Sequence, residues 1–218
     1  MVMMLLMVRG GMMIKLAMPI SDQEIRNLKV GDTVLLTGIM LTGRDAVHKW
    51  MIDNFIEKKV TPTPSDEEIC QSIKPQLNGG IIYHCGPVVS GLDTGDYKFV
   101  AAGPTTSIRE EPYQGRVMEH FNIKGVVGKG GMGPKTLAAC ESVPCVYFHA
   151  IGGAATLIAQ SVKKVLGVHK MEFGVPEAIW VLEVEDFPVV VTMDSHGNSI
   201  HSEIEKKSRS VFESLVGV

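Results

Sequence analysis

The stretch IKGVVGKGGMGPKT at residues 123–136 decides the fold class. Ile123 to Val127 is a short apolar run that reads as a strand. A glycine-rich loop follows, and Pro134 then stands in the first turn of a helix, where a missing N–H costs nothing. Gly128 to Gly133 formally matches GxGxxG, a weak pattern without its structural context. A dinucleotide site asks for an acidic residue about 20 positions on, at the end of the next strand. That strand, Cys145 to Ala150, ends on His149-Ala150, with no Asp or Glu in place. A phosphate-binding P-loop also fails, because Pro134 separates Gly133 from Lys135-Thr136. Two readings survive: an anion-binding loop with Lys129 as its point charge, or a simple tight turn.

Outward from this unit, strands and helices mix without strict alternation, which predicts one α/β domain with a mixed sheet. Ile14 to Ile20 reads as a strand, and Ser21 with Glu24 as a capping box for a helix through about Leu28. Thr33 to Met40 is β-rich, and Thr42 reads as the N-cap of a helix to about Lys58, with Val47, Trp50, Met51 and Phe55 on one face. Thr61 to Gly80, with three prolines and an acidic cluster, reads mostly as loop. Ile81–Cys85 and Tyr97–Ala102 read as strands that run into Gly-Pro, followed by a helix around Pro112 to Phe121. Further on come a helix over Ala154–Leu166, strands at Ile179–Glu185 and Val189–Met193, a polar turn at Asp194–Asn198 and a surface helix from Glu203.

Three cations stand where this chain could hold an anion. Arg44 falls two residues after Thr42, in a helix's first turn, where the dipole favours anions by roughly 0.3–1 kcal/mol. With the free N–H groups of that turn it could hold a carboxylate or phosphate; the alternative is a solvated arginine offset by Asp45. In AGPTTSIR (102–109), Gly103 and Pro104 stop a strand and present Thr105, Thr106 and Ser107 at its end, the edge of an α/β sheet where ligands sit. Arg109 adds a second forked donor; the alternative is a capped turn with a surface arginine. Lys129 is the third cation. His48 lies one helical turn beyond Arg44, and His84, His149 and His169 read as structural.

The chain has 218 residues, a net charge of −3, 45% hydrophobic and 21% charged residues. That is ordinary for a soluble globular protein and gives no reason to expect nucleic acid or a membrane surface as partner. Cys70, Cys85, Cys140 and Cys145 contain no CxxC pair and no cluster spacing. They read as reduced thiols of a cytoplasmic protein, with no metal bound by this chain. Residues 1–12 read as an N-terminal extension without fixed structure, too short to span a bilayer and unlike a signal peptide. The remainder, 13–218, reads as a single domain.

The segments GDTVLLTGIMLTGRDAVHK (31–49), HCGPVV (84–89), AAGPTTSIRE (101–110), VVGKGGMGPKT (126–136), IGGAATLIAQSVK (151–163) and EAIWVLEVEDFP (177–188) together resemble the β subunit, or C-terminal domain, of class I fumarate hydratases. The resemblance implies a swivelling β/β/α domain and a two-subunit hydro-lyase interconverting fumarate and (S)-malate. Its [4Fe–4S] cluster would sit on a partner α subunit, in an α2β2-type assembly, and this chain would be inactive alone. It further implies Thr105 as the catalytic base, with Arg44, Arg109, Lys129, Gly103 and Thr106 binding the dicarboxylate. The β subunit of L(+)-tartrate dehydratase shares GPTTS and GKGGMG and is the alternative.

Overall fold

The structure is a computed structural model and describes residues 13–217, so the expected extension at 1–12 lies outside the described residues. The chain runs through β1 (Ile14–Ala17), α1 (Asp22–Asn27), β2 (Thr33–Thr42), α2 (Asp45–Met51) with a π-helical turn (Ile52–Ile56), and α3 (Pro64–Leu77). There follow β3 (Ile81–Tyr83), the hairpin β4 (Val88–Ser90) and β5 (Lys98–Ala101), a 3-10 turn (Ser107–Glu110), α4 (Gln114–Phe121), β6 (Gly125–Gly128) and α5 (Pro134–Ser142). The last third holds β7 (Val146–His149), α6 (Ala155–Ala159), β8 (Val162–His169), β9 (Ile179–Met193) and α7 (Ile200–Val216).

Strands β1, β2, β3, β6 and β7 pair in parallel, and β9 runs antiparallel to β2, β7 and β8. Because β9 is 15 residues long, it pairs with both β7 and β2. The sheet thereby closes on itself through β2, β3, β6, β7 and β9, and β1 and β8 hang on the edges. The expected mixed-sheet β/β/α domain is what forms. Alternation along the strands divides the core in two. Met40, Tyr83, Val127 and Phe148 point to one apolar cluster, and Leu41, Ile82, Val126 and Tyr147 to the other, under α2, α3, α4 and α5. The β4–β5 hairpin covers the first face: Tyr97 and Phe99 meet the buried Trp180 ring edge-on at 5.2 and 5.7 Å.

Local chemistry explains the boundaries, including those the sequence reading missed. Ser21 and Glu24 make the expected capping box, and Pro134 is the expected first residue of α5. Residues 64–77, expected as loop, are a 14-residue helix. Pro64 starts it rather than breaking it, and Thr63 and Asp66 form a second capping box. The helix expected over 154–166 ends at Ala159; Val162, Val165 and Val168 continue as β8 along β9, where β-branched residues fit. Leu157, on the short α6, is exposed. The two strands expected between Ile179 and Met193 are one, crossing Asp186 at positive φ. Among the described residues no helix is long and apolar enough to cross a membrane.

Candidate functional site

Four parallel strands end level with one another, since Thr42 pairs with Tyr83, Tyr83 with Val127, and Gly128 with His149. Their C-terminal ends therefore present Arg44, His84, Lys129 and His149 along one edge, the side where open α/β sheets hold ligands. The chain returns to this edge after β5. Thr105 N–H donates to His84 O at 2.7 Å, Lys129 N–H to Thr105 O at 3.1 Å, and Ser107 N–H to Lys129 O at 3.1 Å. Thr105, Thr106 and Lys129 are thus neighbours in one small backbone ladder. Gly103 lets that return pass α6 closely: a Cβ there would lie 3.1 Å from Ala155 Cβ. Arg109 projects from the 3-10 turn, with 58% of its side chain exposed.

The cations are placed differently from the sequence expectation. Thr42 is not a cap: it ends β2, where its hydroxyl donates to Ala178 O and accepts from Trp180 N–H. Arg44 itself is the N-cap position of α2. Its guanidinium pairs with Glu177 at 3.0 Å and donates to Pro176 O at 3.4 Å, while Ala46 N–H donates to the other Glu177 oxygen at 3.3 Å. A guanidinium and a helix amide jointly hold a carboxylate there, and the occupant is this chain's own glutamate. Asp45, expected to offset Arg44, pairs with Arg109 instead.

The glycine-rich loop is likewise partly filled. Glu111 accepts from Gly133 N–H at 2.8 Å, Lys135 N–H at 2.9 Å, Thr136 N–H at 3.3 Å and the Thr136 hydroxyl at 2.6 Å. The N-terminus of α5 therefore already has its anion, and an external one would meet only Lys129 and the turn Gly130-Gly131. Both glycines sit at φ +80°, where a side chain is strained. Lys129 enters none of the ion pairs formed among the described residues.

Beneath the edge runs a buried hydrogen-bond chain that the sequence reading did not find. Tyr147 O–H donates to Ser107 Oγ at 2.8 Å, and Ser107 Oγ lies 2.8 Å from His84 Nδ1. His84 Nε2 lies 2.9 Å from Gln114 Oε1, and His48 Nδ1 lies 2.9 Å from Arg44 O. Acceptors fix every proton. Arg44 O and Gln114 Oε1 can only accept, so His48 is protonated at Nδ1 and His84 at Nε2. Ser107 then donates to His84 Nδ1, while His48 Nε2 and the Gln114 amide nitrogen are buried without a partner among the described residues. Burial holds both imidazoles below their ordinary range, His84 furthest, as neutral links of such a chain must be. The chain thus runs from Tyr147 through Ser107 and His84 to Gln114, and His48, on the Arg44 carbonyl, meets the His84 ring edge-on at 5.2 Å. A Cβ at Gly128 would lie 1.8 Å from Ser107 Oγ. The backbone carbonyl of His84 also accepts from Thr105 Oγ1 at 3.0 Å, so one residue orders both the chain and the candidate base.

The four cysteines do not converge. Cys140 and Cys145 are neighbours in one apolar cluster, Cys85 lies in the other apolar cluster with its thiol pushed by burial up to about 12, and Cys70 is on α3. Among the described residues no three His, Cys, Asp or Glu side chains come together as metal ligands.

Comparison with known proteins places the chain in a family. The family described as fumarase C-terminus matches residues 7–204. A Geobacillus stearothermophilus protein provisionally named a class I fumarate hydratase is 53% identical over 89% of this chain, which spans only 35% of that protein's length. The chain is 38% identical to a provisionally named L(+)-tartrate dehydratase β subunit of Methanocaldococcus jannaschii, covering 91% of this chain and 96% of the relative. It is also 36% identical to the L(+)-tartrate dehydratase β subunit of Escherichia coli, over 88% of each.

Proposed function

The chain belongs to the fumarase C-terminus family, and from that premise we propose that it is the β subunit of a cytoplasmic, two-subunit hydro-lyase acting on fumarate and (S)-malate. The observation that carries this reading is the ladder Thr105–Lys129–Ser107, which sets a hydroxyl, an unpaired lysine and Arg109 at one sheet edge. A dicarboxylate needs at least two cations, and charge that builds on one carboxylate as water adds across the double bond needs them more. Arg109 and Lys129 meet that need. Arg44 joins them by exchanging Glu177 for a substrate carboxylate, and Gly103 and Thr106 shape the floor.

Thr105 is the proposed base. Its hydroxyl proton rests on the His84 carbonyl, which cannot take it, so its alkoxide depends on neighbouring positive charge. A [4Fe–4S] cluster, when bound, supplies a Lewis acid for the hydroxyl that leaves. The scattered thiols of this chain, three of them buried, do not suit one, so the cluster is assigned to an α subunit, with self-association in an α2β2-type assembly. Similarity of 53% favours fumarate. Full-length match to two separate β subunits favours a split enzyme and keeps tartrate as the second reading.

The test is anaerobic co-expression with the cluster-bearing partner, then assays on fumarate, malate and tartrate. Arg109→Ala and Lys129→Ala each lower kcat/KM by about 100-fold or more, as expected for lost transition-state charge contacts. Unchanged turnover in both variants, or activity of this chain without iron, would sink the reading.

A further inference from the structure

Asp45 and Glu110 lie close enough to perturb each other's carboxyl group, and the ordinary ionised form of each can only accept. Asp45 Oδ1 and Glu110 Oε2 are both shut off from solvent, and neither has a donor among the described residues. Two facing acceptors without a donor are stable only if one carries a proton. Glu110, 1% exposed, is the one to carry it, because Asp45 Oδ2 already receives the Arg109 guanidinium.

We propose that Asp45 and Glu110 form an acid–carboxylate pair sharing one proton, and that this pair positions Arg109 for a substrate carboxylate. Glu110 O–H donates to Asp45 Oδ1, Asp45 Oδ2 accepts from Arg109, and the remaining guanidinium N–H groups face the exposed mouth. The charged and titratable groups facing the pair are Arg109 on the same turn, His48 on α2 and Tyr147 on β7. His48 and Tyr147 are neutral links of the buried chain, so a single negative charge is balanced by Arg109 alone. Loss of the shared proton doubles the negative charge on Arg109 and draws it away from the substrate. Burial first, and Asp45 second, push Glu110 up to about 8, so that loss falls just above neutral pH. The positioning role rests on the reading of Arg109 given above; the shared proton does not.

Two measurements test it. Carboxyl 13C NMR of the full chain, labelled in glutamate, should show one glutamate titrating far above the usual value of about 4.3. That signal should vanish in Glu110→Gln, which keeps a donor to Asp45, and move down in Asp45→Asn. If every glutamate titrates in the ordinary range, the shared proton is refuted. Binding of succinate to the complex with its partner is then followed from pH about 6 to 9.5. The native complex should lose about tenfold in affinity over the upper half, the equivalent of one pKa unit, and Glu110→Gln should bind independently of that transition. A pH profile in Glu110→Gln identical to the native one overturns the positioning role. No succinate binding at any pH overturns the reading of Arg109, while the glutamate titration still judges the shared proton.

Discussion

Asp66, which reaches α2 from α3, and Asp45, the first residue of α2, are both carboxylates held below the usual range, and their surroundings are opposite in kind. Asp66 accepts from Trp50 Nε1 at 2.8 Å, Thr63 Oγ1 at 2.7 Å, Thr63 N–H at 3.1 Å and Lys170 Nζ at 3.0 Å. Burial alone would raise its pKa, but those donors overcome it and hold the carboxyl far below the usual range. Lys170 is in turn seated over the Trp50 and Phe173 rings. Around Asp45 the count does not close: Asp45 Oδ1 and Glu110 Oε2 are buried without an ordinary partner. A closed polar node serves the fold, because every donor there has been spent on the chain itself. An open one has donors and charge left for something that is not the chain, and it lies beside the three cations rather than under α3.

The largest way to break this comparison is Asp66→Ala. It leaves Trp50 Nε1 without its acceptor, leaves Lys170 with Glu172 alone, and removes half of the α3 capping box, so urea unfolding should show a loss of about 2–4 kcal/mol. The pH dependence has a definite sign. A depressed carboxyl gives stability that is complete above about pH 4, its unfolded value, and lost as the solution is acidified below that. Asp66→Asn should flatten this acid limb. If it does not, the node is not what holds α3 to α2.

Ser107→Ala should come second. It strands the Tyr147 hydroxyl and His84 Nδ1, two buried groups with no other partner among the described residues, for a cost of about 2 kcal/mol in urea unfolding. The buried chain stands directly beneath the site, and unlike the Asp66 node it leaves His48 Nε2 and the Gln114 amide nitrogen without a partner among the described residues. The same variant should therefore also slow turnover of the complex, which Asp66→Asn, measured on folded protein, should not.

How far these two regions could be read from the sequence follows from the range of their contacts. The α1 capping box, Pro134 at the head of α5 and the polar turn capped by Asp194 are encoded within three or four residues, and each was legible. The signal for α3 was equally local, Thr63-Pro64 with Asp66, but prolines and acidic residues were read as loop composition instead of as helix-start chemistry. The edge carrying Arg44, Thr105 and Lys129 was legible from strand ends. Its partners were not. Glu177 reaches Arg44 across 133 positions, Glu111 reaches α5 from before α4, and the buried chain draws His48, His84, Ser107, Gln114 and Tyr147 from separate segments. Closure of β9 on both β2 and β7 is what brings such segments together, and no local pattern announces it.

Arg109→Ala gives the smallest expected effect on stability and the sharpest separation. The Arg109–Asp45 pair is exposed on the arginine side, and such pairs contribute about 0–1 kcal/mol. Removing the guanidinium leaves Asp45 with the Glu110 proton as its remaining donor, so the aspartate is not stranded as Trp50 Nε1 would be without Asp66. Thermal unfolding at neutral pH should then place Arg109→Ala within about 1 kcal/mol of the native chain, while its complex loses turnover. The opposite ordering, with Arg109→Ala costing as much as Asp66→Ala, would make Arg109 a structural cation. The contrast between a node spent on the fold and one kept for a ligand would then be wrong at the point where it matters most.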